Sequence, residues 1–143
     1  MQYMDKEIST YQAKCAECSE VFDHPSLGDM VYGKFIFCSE NGKVFAYCNA
    51  FEVSAKLIDV LLLKNRDAEL FQSALAGLAD PIFGQQLTNK LHCPKCHSTN
   101  LEYWHGEKSG SMSVTPATYN CLLSLSRDEL KLKVSQFLEN HFA

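Results

Sequence analysis

The sequence predicts an α+β protein, and three stretches carry the prediction. Residues 31–38 and 43–49 are rich in β-branched and aromatic side chains and flank Asn41-Gly42, a dipeptide suited to the two positive φ angles of a type I′ hairpin turn. Residues 52–64 contain neither glycine nor proline and repeat leucine and isoleucine at helical spacing. Near the end, Ser126-Arg127-Asp128-Glu129 has the form of a capping box, in which serine and glutamate satisfy free backbone N–H groups at a helix start.

From the N-terminus, residues 7–14 alternate loosely and lead as a short strand into Cys15-Ala16-Glu17-Cys18, and Val21 and Phe22 lead out again. A first hairpin is expected there, with the cysteines at its turn. A second pair, Cys93-Pro94-Lys95-Cys96, is separated from the first by the 74 residues 19–92. Two C-x-x-C pairs supply four thiolates, the set that a structural zinc ion takes at about 2.3 Å per bond with no position left open for chemistry. Cys15, Cys18, Cys93 and Cys96 are therefore the expected ligands of one structural Zn2+. Two other uses of the cysteines fit less well. Seven is an odd number and no basic and apolar leader precedes them, which argues against a disulfide framework. A redox pair would have to open a helix, and His97-Ser98-Thr99-Asn100 is poor helix material.

The second knuckle with its flanks, residues 92–103, resembles the zinc-ribbon families, in which two cysteine knuckles sit at the tips of two β-hairpins. Pro94 fits the tight turn between the ligands. Ser19 and His97 stand where many ribbons carry a glycine, and the spacer is of domain size where short ribbons use about 15 to 20 residues. The resemblance covers residues 11–24 and 89–105, with a further strand at 112–120, and implies a metal and a local fold, not an activity. His92 and His97 flank the second knuckle and are placed to bond its sulfurs or to replace a ligand. His24, followed by proline and glycine in turn positions, reads as a surface-loop histidine in preference to a spare ligand.

Within the spacer, a loop at Asn41-Gly42 makes the numbers of paired residues sum to 83, so Cys38 faces Phe45, Phe37 faces Ala46, Ile36 faces Tyr47 and Phe35 faces Cys48. Both faces of this hairpin are apolar, which places it between two layers or leaves one face for a partner. Cys38 and Cys48 fall on opposite faces and read as core thiols. Leu57, Ile58, Leu61 and Leu62 mark the first helix; Asn65 or Asp67 caps a second, in which Leu70, Phe71, Ala74, Leu75 and Leu78 share a face before Asp80-Pro81 ends it. Residues 82–91 fit either a short helix or an extended return. Residues 101–105 and 113–115 with Tyr119 read as strands around a glycine-containing loop at 106–111, closing a second hairpin. Leu130, Val134, Phe137 and Leu138 line the inner face of the terminal helix. The expectation is one domain over 1–143: zinc-ribbon-type β-hairpins (11–24 and 89–120), an inserted β-hairpin and helical pair (25–88), and a C-terminal helix (121–143).

A hydrophobic share of 46% fills one core, and no apolar run approaches the length of about 20 that spans a bilayer, so a cytoplasmic protein is expected. The net charge of −4 is uneven: residues 1–84 carry 12 acids against 7 Lys/Arg, and 85–143 carry 5 against 6. No phosphate loop, His-Glu-x-x-His helix or nucleophile elbow is present, and Cys121 has no charged neighbour and reads as an inert buried thiol. The chain is therefore expected not to be an enzyme. The first functional expectation is an intracellular zinc-binding protein working through protein–protein contact, of the kind of an inhibitor or immunity protein that neutralises a toxin. Its acids Glu17, Glu20, Asp23, Asp29, Glu40, Glu52 and Asp59 would face a basic partner. The alternative is a nucleic-acid-binding zinc ribbon using Lys90, His92, Lys95, His97, Tyr103, Trp104 and Lys108. An enzyme assembled from scattered residues is a third. On the sequence, the first two readings lie on opposite sections of the chain.

Overall fold

The ten-residue strand β1 (Lys6–Cys15) organises the sheet, because it is long enough to pair along both edges. The computed structural model describes residues 5–27, 33–64 and 68–142. Strand β2 (Val21–Pro25) returns antiparallel on one edge of β1, from Lys14↔Val21 to Thr10↔Pro25. Along the other edge, β6 (Leu101–Tyr103) and β7 (Lys108–Pro116) follow one another, both antiparallel to β1: Lys14↔Tyr103, then Tyr11↔Lys108 to Lys6↔Val114. The hairpin expected between residues 101–105 and 113–115 with Tyr119 therefore does not form. Residues 101–116 make one interrupted strand, and most of the expected loop at 106–111 is β7 itself. A full edge of N–H and C=O groups on β1 satisfies both segments without a fold-back. Residues 104–107 bulge out, pinned by Gly106 N–H to Gln12 O (2.8 Å) and Gln12 N–H to Glu107 O (3.0 Å).

Strands β3 (Lys34–Ser39) and β4 (Phe45–Asn49) pair in the register expected, with Cys38↔Phe45, Phe37↔Ala46, Ile36↔Tyr47 and Phe35↔Cys48. Their turn is different. Gly42 has a φ of 73°, but Asn41 is outside the left-handed region, so this is not a type I′ turn. The Asn41 side chain is used locally instead, its Oδ1 accepting from Lys43 N at 3.0 Å, while Gly42 N–H donates to Ser39 O. The end of β7 runs parallel to β4 (Ala46↔Thr115, Tyr47↔Pro116), and β5 (Leu87–Thr88) covers the outer edge of β3. The strand order is thus β2–β1–β7–β4–β3–β5, with β6 beside β1.

The two apolar faces of β3–β4 lie between two layers. Phe37, Ala46 and Cys48 face the helices, and Ile36, Phe45 and Tyr47 face Ile8, Leu27, Met112 and Val114. Among the described residues three helices follow the outline expected, α1 (Ala55–Lys64), α2 (Ala68–Gly77) and the terminal helix, here α4 (Arg127–Phe142), while the short α3 (Asn120–Leu123) before it is not foreseen from the sequence. Residue 52 does not begin α1. Ala50–Glu52 is a 3₁₀ turn held by Asn49, and Ser54 Oγ accepts from Lys56 N at 3.3 Å to start the helix. The caps expected at Asn65 or Asp67, like the Leu62 side chain, lie outside the described residues. Leu57, Leu61, Ala74, Leu75, Leu130 and Val134 are buried together, and the Ser126–Glu129 box closes as expected, with Glu129 N–H to Ser126 Oγ (3.2 Å) and Ser126 N–H to Glu129 Oε1 (3.1 Å). Residues 82–91 resolve into a tight turn, Ile82 bridging Gln85 around Phe83 (φ 51°) and Gly84 (φ 74°), followed by β5. Among the described residues no helix is long and apolar enough to cross a membrane.

In the sequence Asp80 reads only as a helix stop, yet it caps α3 from outside that helix. Its carboxylate accepts from Thr118 Oγ1 (2.7 Å), Asn120 N (2.8 Å) and Cys121 N (3.1 Å). Burial would raise its pKa, but these donors outweigh burial and hold it below the usual carboxylate range. The depressed value means that this stabilisation is present above the unfolded-state pKa and is lost as pH falls through the folded one. Asp80→Asn is expected to cost about 1–2 kcal/mol at pH 7, the range of a lost cap with charge-assisted bonds. The difference from wild type should shrink in acid, which urea denaturation at pH 7 and pH 3.5 would measure; a constant difference would contradict it.

Candidate metal centre

The four cysteines of the two C-x-x-C pairs come together at one end of β1. Cys15 closes that strand, Cys18 sits in the turn to β2, and Cys93 and Cys96 lie in the turn before β6. The four sulfurs lie within 4.8 Å of one another, with Cys15–Cys96 at 3.4 Å and Cys18–Cys93 at 3.6 Å. A tetrahedron with metal–sulfur bonds near 2.3 Å has edges of about 3.8 Å, so the array is of the size that one ion requires. All four are free thiols.

The two knuckles repeat the same backbone. The first cysteine of each accepts at its carbonyl from the residue four on (Ser19 N to Cys15 O, 3.1 Å; His97 N to Cys93 O, 2.9 Å). Its N–H donates to the residue five on (Glu20 O and Ser98 O, both 2.9 Å). Its sulfur accepts from the residue two on, Glu17 N or Lys95 N, each at 3.4 Å. Ser19 and His97 occupy the left-handed region (φ 65° and 67°), the conformation for which a glycine is the usual choice. The knuckles are joined by Ala16 N to Asn100 O (2.9 Å), by Asn100 Nδ2 to Glu17 Oε1 (3.0 Å) and by the Lys95–Glu20 ion pair (3.9 Å).

Apolar packing closes the inner side. Cys15 and Cys93 are fully buried with Ala13 and Phe22, and Leu91 and Leu101 pack against them, while Cys96 is exposed. The backbone N–H of Cys18 helps bring the Cys15 thiol down to about 7. At Cys96 the Ser98 N–H favours the thiolate, but the neighbouring sulfurs and burial outweigh it and push the thiol up to about 12. Cys15 ionises readily while Cys18 and Cys96 resist, because burial and neighbouring sulfurs oppose further negative charge in this volume without a cation. Metal binding would therefore release protons and weaken in acid.

The turn of the β3–β4 hairpin braces the second knuckle. A Cβ on Gly42 would lie 2.5 Å from His92 O and 2.7 Å from Pro94 N, so only glycine allows this approach. His92 adds a bridge from the other side, Nε2 to Thr88 Oγ1 and Nδ1 to His97 O, both 3.1 Å, so its ring bonds β5 and the knuckle backbone and no sulfur. His97 is exposed and contributes the turn conformation. His24 corrects the sequence reading: it is buried within β2, not on a surface loop, with Nε2 2.6 Å from Trp104 O, and burial lowers its pKa. Cys121 is a second correction, an exposed thiol next to Asp80, which raises its pKa. Cys38 and Cys48 are buried thiols, each pushed up to about 11 by burial. Nor are the acidic and basic stretches spatially opposed, since Glu20 meets Lys95 and Glu102 meets Lys14 at 3.2 Å; Asp29 lies outside the described residues. Compared with protein-family models, curated proteins and solved structures, the chain matches none.

Proposed function

We propose that this is a structural zinc protein without a reaction of its own, acting by covering the surface of another protein as an inhibitor, in the manner of an immunity protein that neutralises a toxin. Four sulfurs around one tetrahedral ion leave no coordination position for water or substrate, and zinc suits such a set without redox chemistry. The carrying observation is the ridge beside the metal centre. Val21, Lys14 and Tyr103 are directly opposite one another across β2, β1 and β6 and so share one face, and Trp104 follows in the bulge. Val21 is 46% exposed and Trp104 51%. Tyrosine and tryptophan dominate the energetics of protein interfaces, and strands fixed by a metal hold them preorganised. Asp23, two residues from Val21 on the same face, adds a carboxylate for a basic partner.

The nucleic-acid alternative is weaker on this surface. Lys95 and Lys14 are both engaged by carboxylates, so a phosphate would approach the knuckles against negative charge. Co-expression with the products of the adjacent genes tests the proposal. A stoichiometric complex that protects the cells, lost in Trp104→Ser and Tyr103→Ser but kept in Leu132→Ser on α4, is expected. Absence of any such complex, or ridge substitutions without effect on it, would overturn the reading.

A further inference from the structure

A cleft of about 600 Å³ lies beside the β3–β4 hairpin. Ile36, Cys38 and Phe45 form its floor, on the face turned away from the helices, and Leu27 and Trp104 border it. Volumes of this order hold a molecule of nucleotide size. Its charge is the unexpected property. The chain carries 17 acids against 13 Lys/Arg, yet among the described residues the lining holds Lys34, Lys90 and His24 and no carboxylate. Neither lysine has an ion-pair partner among the described residues, whose two pairs use Lys14 and Lys95. Lysines lining an apolar floor that carries aromatic rings suit an anion with a flat body, since such rings take the flat body and the cations take the charge. The bond from His24 to the Trp104 carbonyl ties β2 to the bulge and fixes the wall.

We infer that this cleft binds a nucleotide, its phosphate on the Lys34 and Lys90 ammonium groups and its base against Phe45 and Trp104. The same chemistry comes from a free nucleotide or from a nucleotide within a single strand. The cleft shares Trp104 with the ridge, but Lys34 and Lys90 lie off the ridge, so the lysine variants test the cleft separately. Trp104 is the sole tryptophan, so its emission reports on the cleft directly.

The test is a fluorescence titration of the metal-loaded full chain with adenosine 5′-monophosphate, a four-nucleotide single strand and inorganic phosphate. A saturable change with the mononucleotide or the strand is expected. Lys34→Ala and Lys90→Ala should each weaken it about tenfold, as for the loss of a charge-assisted hydrogen bond. Both lysines are exposed, so their loss should leave the fold intact. Tighter binding of the strand, with a salt slope reduced by about one per lysine removed, identifies the strand as the source, and equal or tighter binding of the mononucleotide identifies the free form. No saturable change with either, a change that both lysine variants retain, or phosphate alone binding as tightly as the nucleotide would overturn the proposal.

Discussion

Cys93→Ser is expected to lower the melting temperature by more than about 10 °C, where Cys121→Ser shifts it by less than about 3 °C, because ligation free energy is folding free energy at a structural site. Both residues are cysteines in turns or short elements, so the contrast isolates the metal. Cys93 is fully buried among Ala13, Cys15 and Phe22, its sulfur accepts the Lys95 N–H, and its backbone carries two knuckle bonds. Cys121 is exposed, and its main contribution is the backbone N–H given to Asp80, which serine retains. The site also closes a spacer of 74 residues, so losing it frees a long loop in the unfolded direction. The helical side has its own buried cluster, so residual helix should survive in Cys93→Ser while the β1–β2 end loosens. Thermal melts by circular dichroism give the comparison, and equal melting temperatures for wild type and Cys93→Ser would contradict it.

Gly42→Ala is the second large effect, expected to cost about 2–4 kcal/mol from a strained positive φ together with overpacking. The added Cβ would meet His92 O, Pro94 N and the Cys93 carbonyl carbon, all rigid backbone atoms of the second knuckle. The hairpin turn and the knuckle must then separate, so chelators should also remove the metal faster from this variant. Gly84→Ala is the control. Its φ of 74° matches, but nothing lies within 4 Å of the added carbon, so it carries the strain alone, about 1 kcal/mol. Denaturation and chelator-release rates for the two variants separate contact from conformation. Equal behaviour would show that the turn does not brace the metal centre.

The parts legible in the sequence were those whose information is local. The Ser126–Glu129 box, the leucine faces of α1 and α2, the β3–β4 register and the four clustered cysteines each rest on spacing within a few residues or on side-chain chemistry alone. What the sequence does not show depends on distant partners. The chain at 101–116 looks like a hairpin because Gly106 and Gly110 suggest a loop, but the long edge of β1 takes the whole segment as one strand. His24 looks like a loop residue beside Pro25, yet β2 extends through it because β1 supplies partners as far as Thr10. Cys121 carries no sign of exposure in its own neighbourhood, since the carboxylate that anchors it is 41 residues away. The asparagine of Asn41-Gly42 fits a type I′ turn on sequence, but its side chain bonds Lys43 N and Gly42 alone is left-handed. The positive φ at Ser19 and His97 shows in the sequence only through the ribbon resemblance, which puts a glycine at those positions, since neither residue type requests it and the knuckle bonds impose it.

The central claim is that Cys15, Cys18, Cys93 and Cys96 hold one structural zinc ion, and elemental analysis of the full chain purified without chelator tests it most directly, with thiol mapping on the same sample. One zinc per chain, lost in Cys93→Ser and kept in Cys121→Ser, with no disulfide among the four, is the result expected. Protein free of metal, protein carrying iron in place of zinc, or a disulfide between any two of these four cysteines would contradict the account.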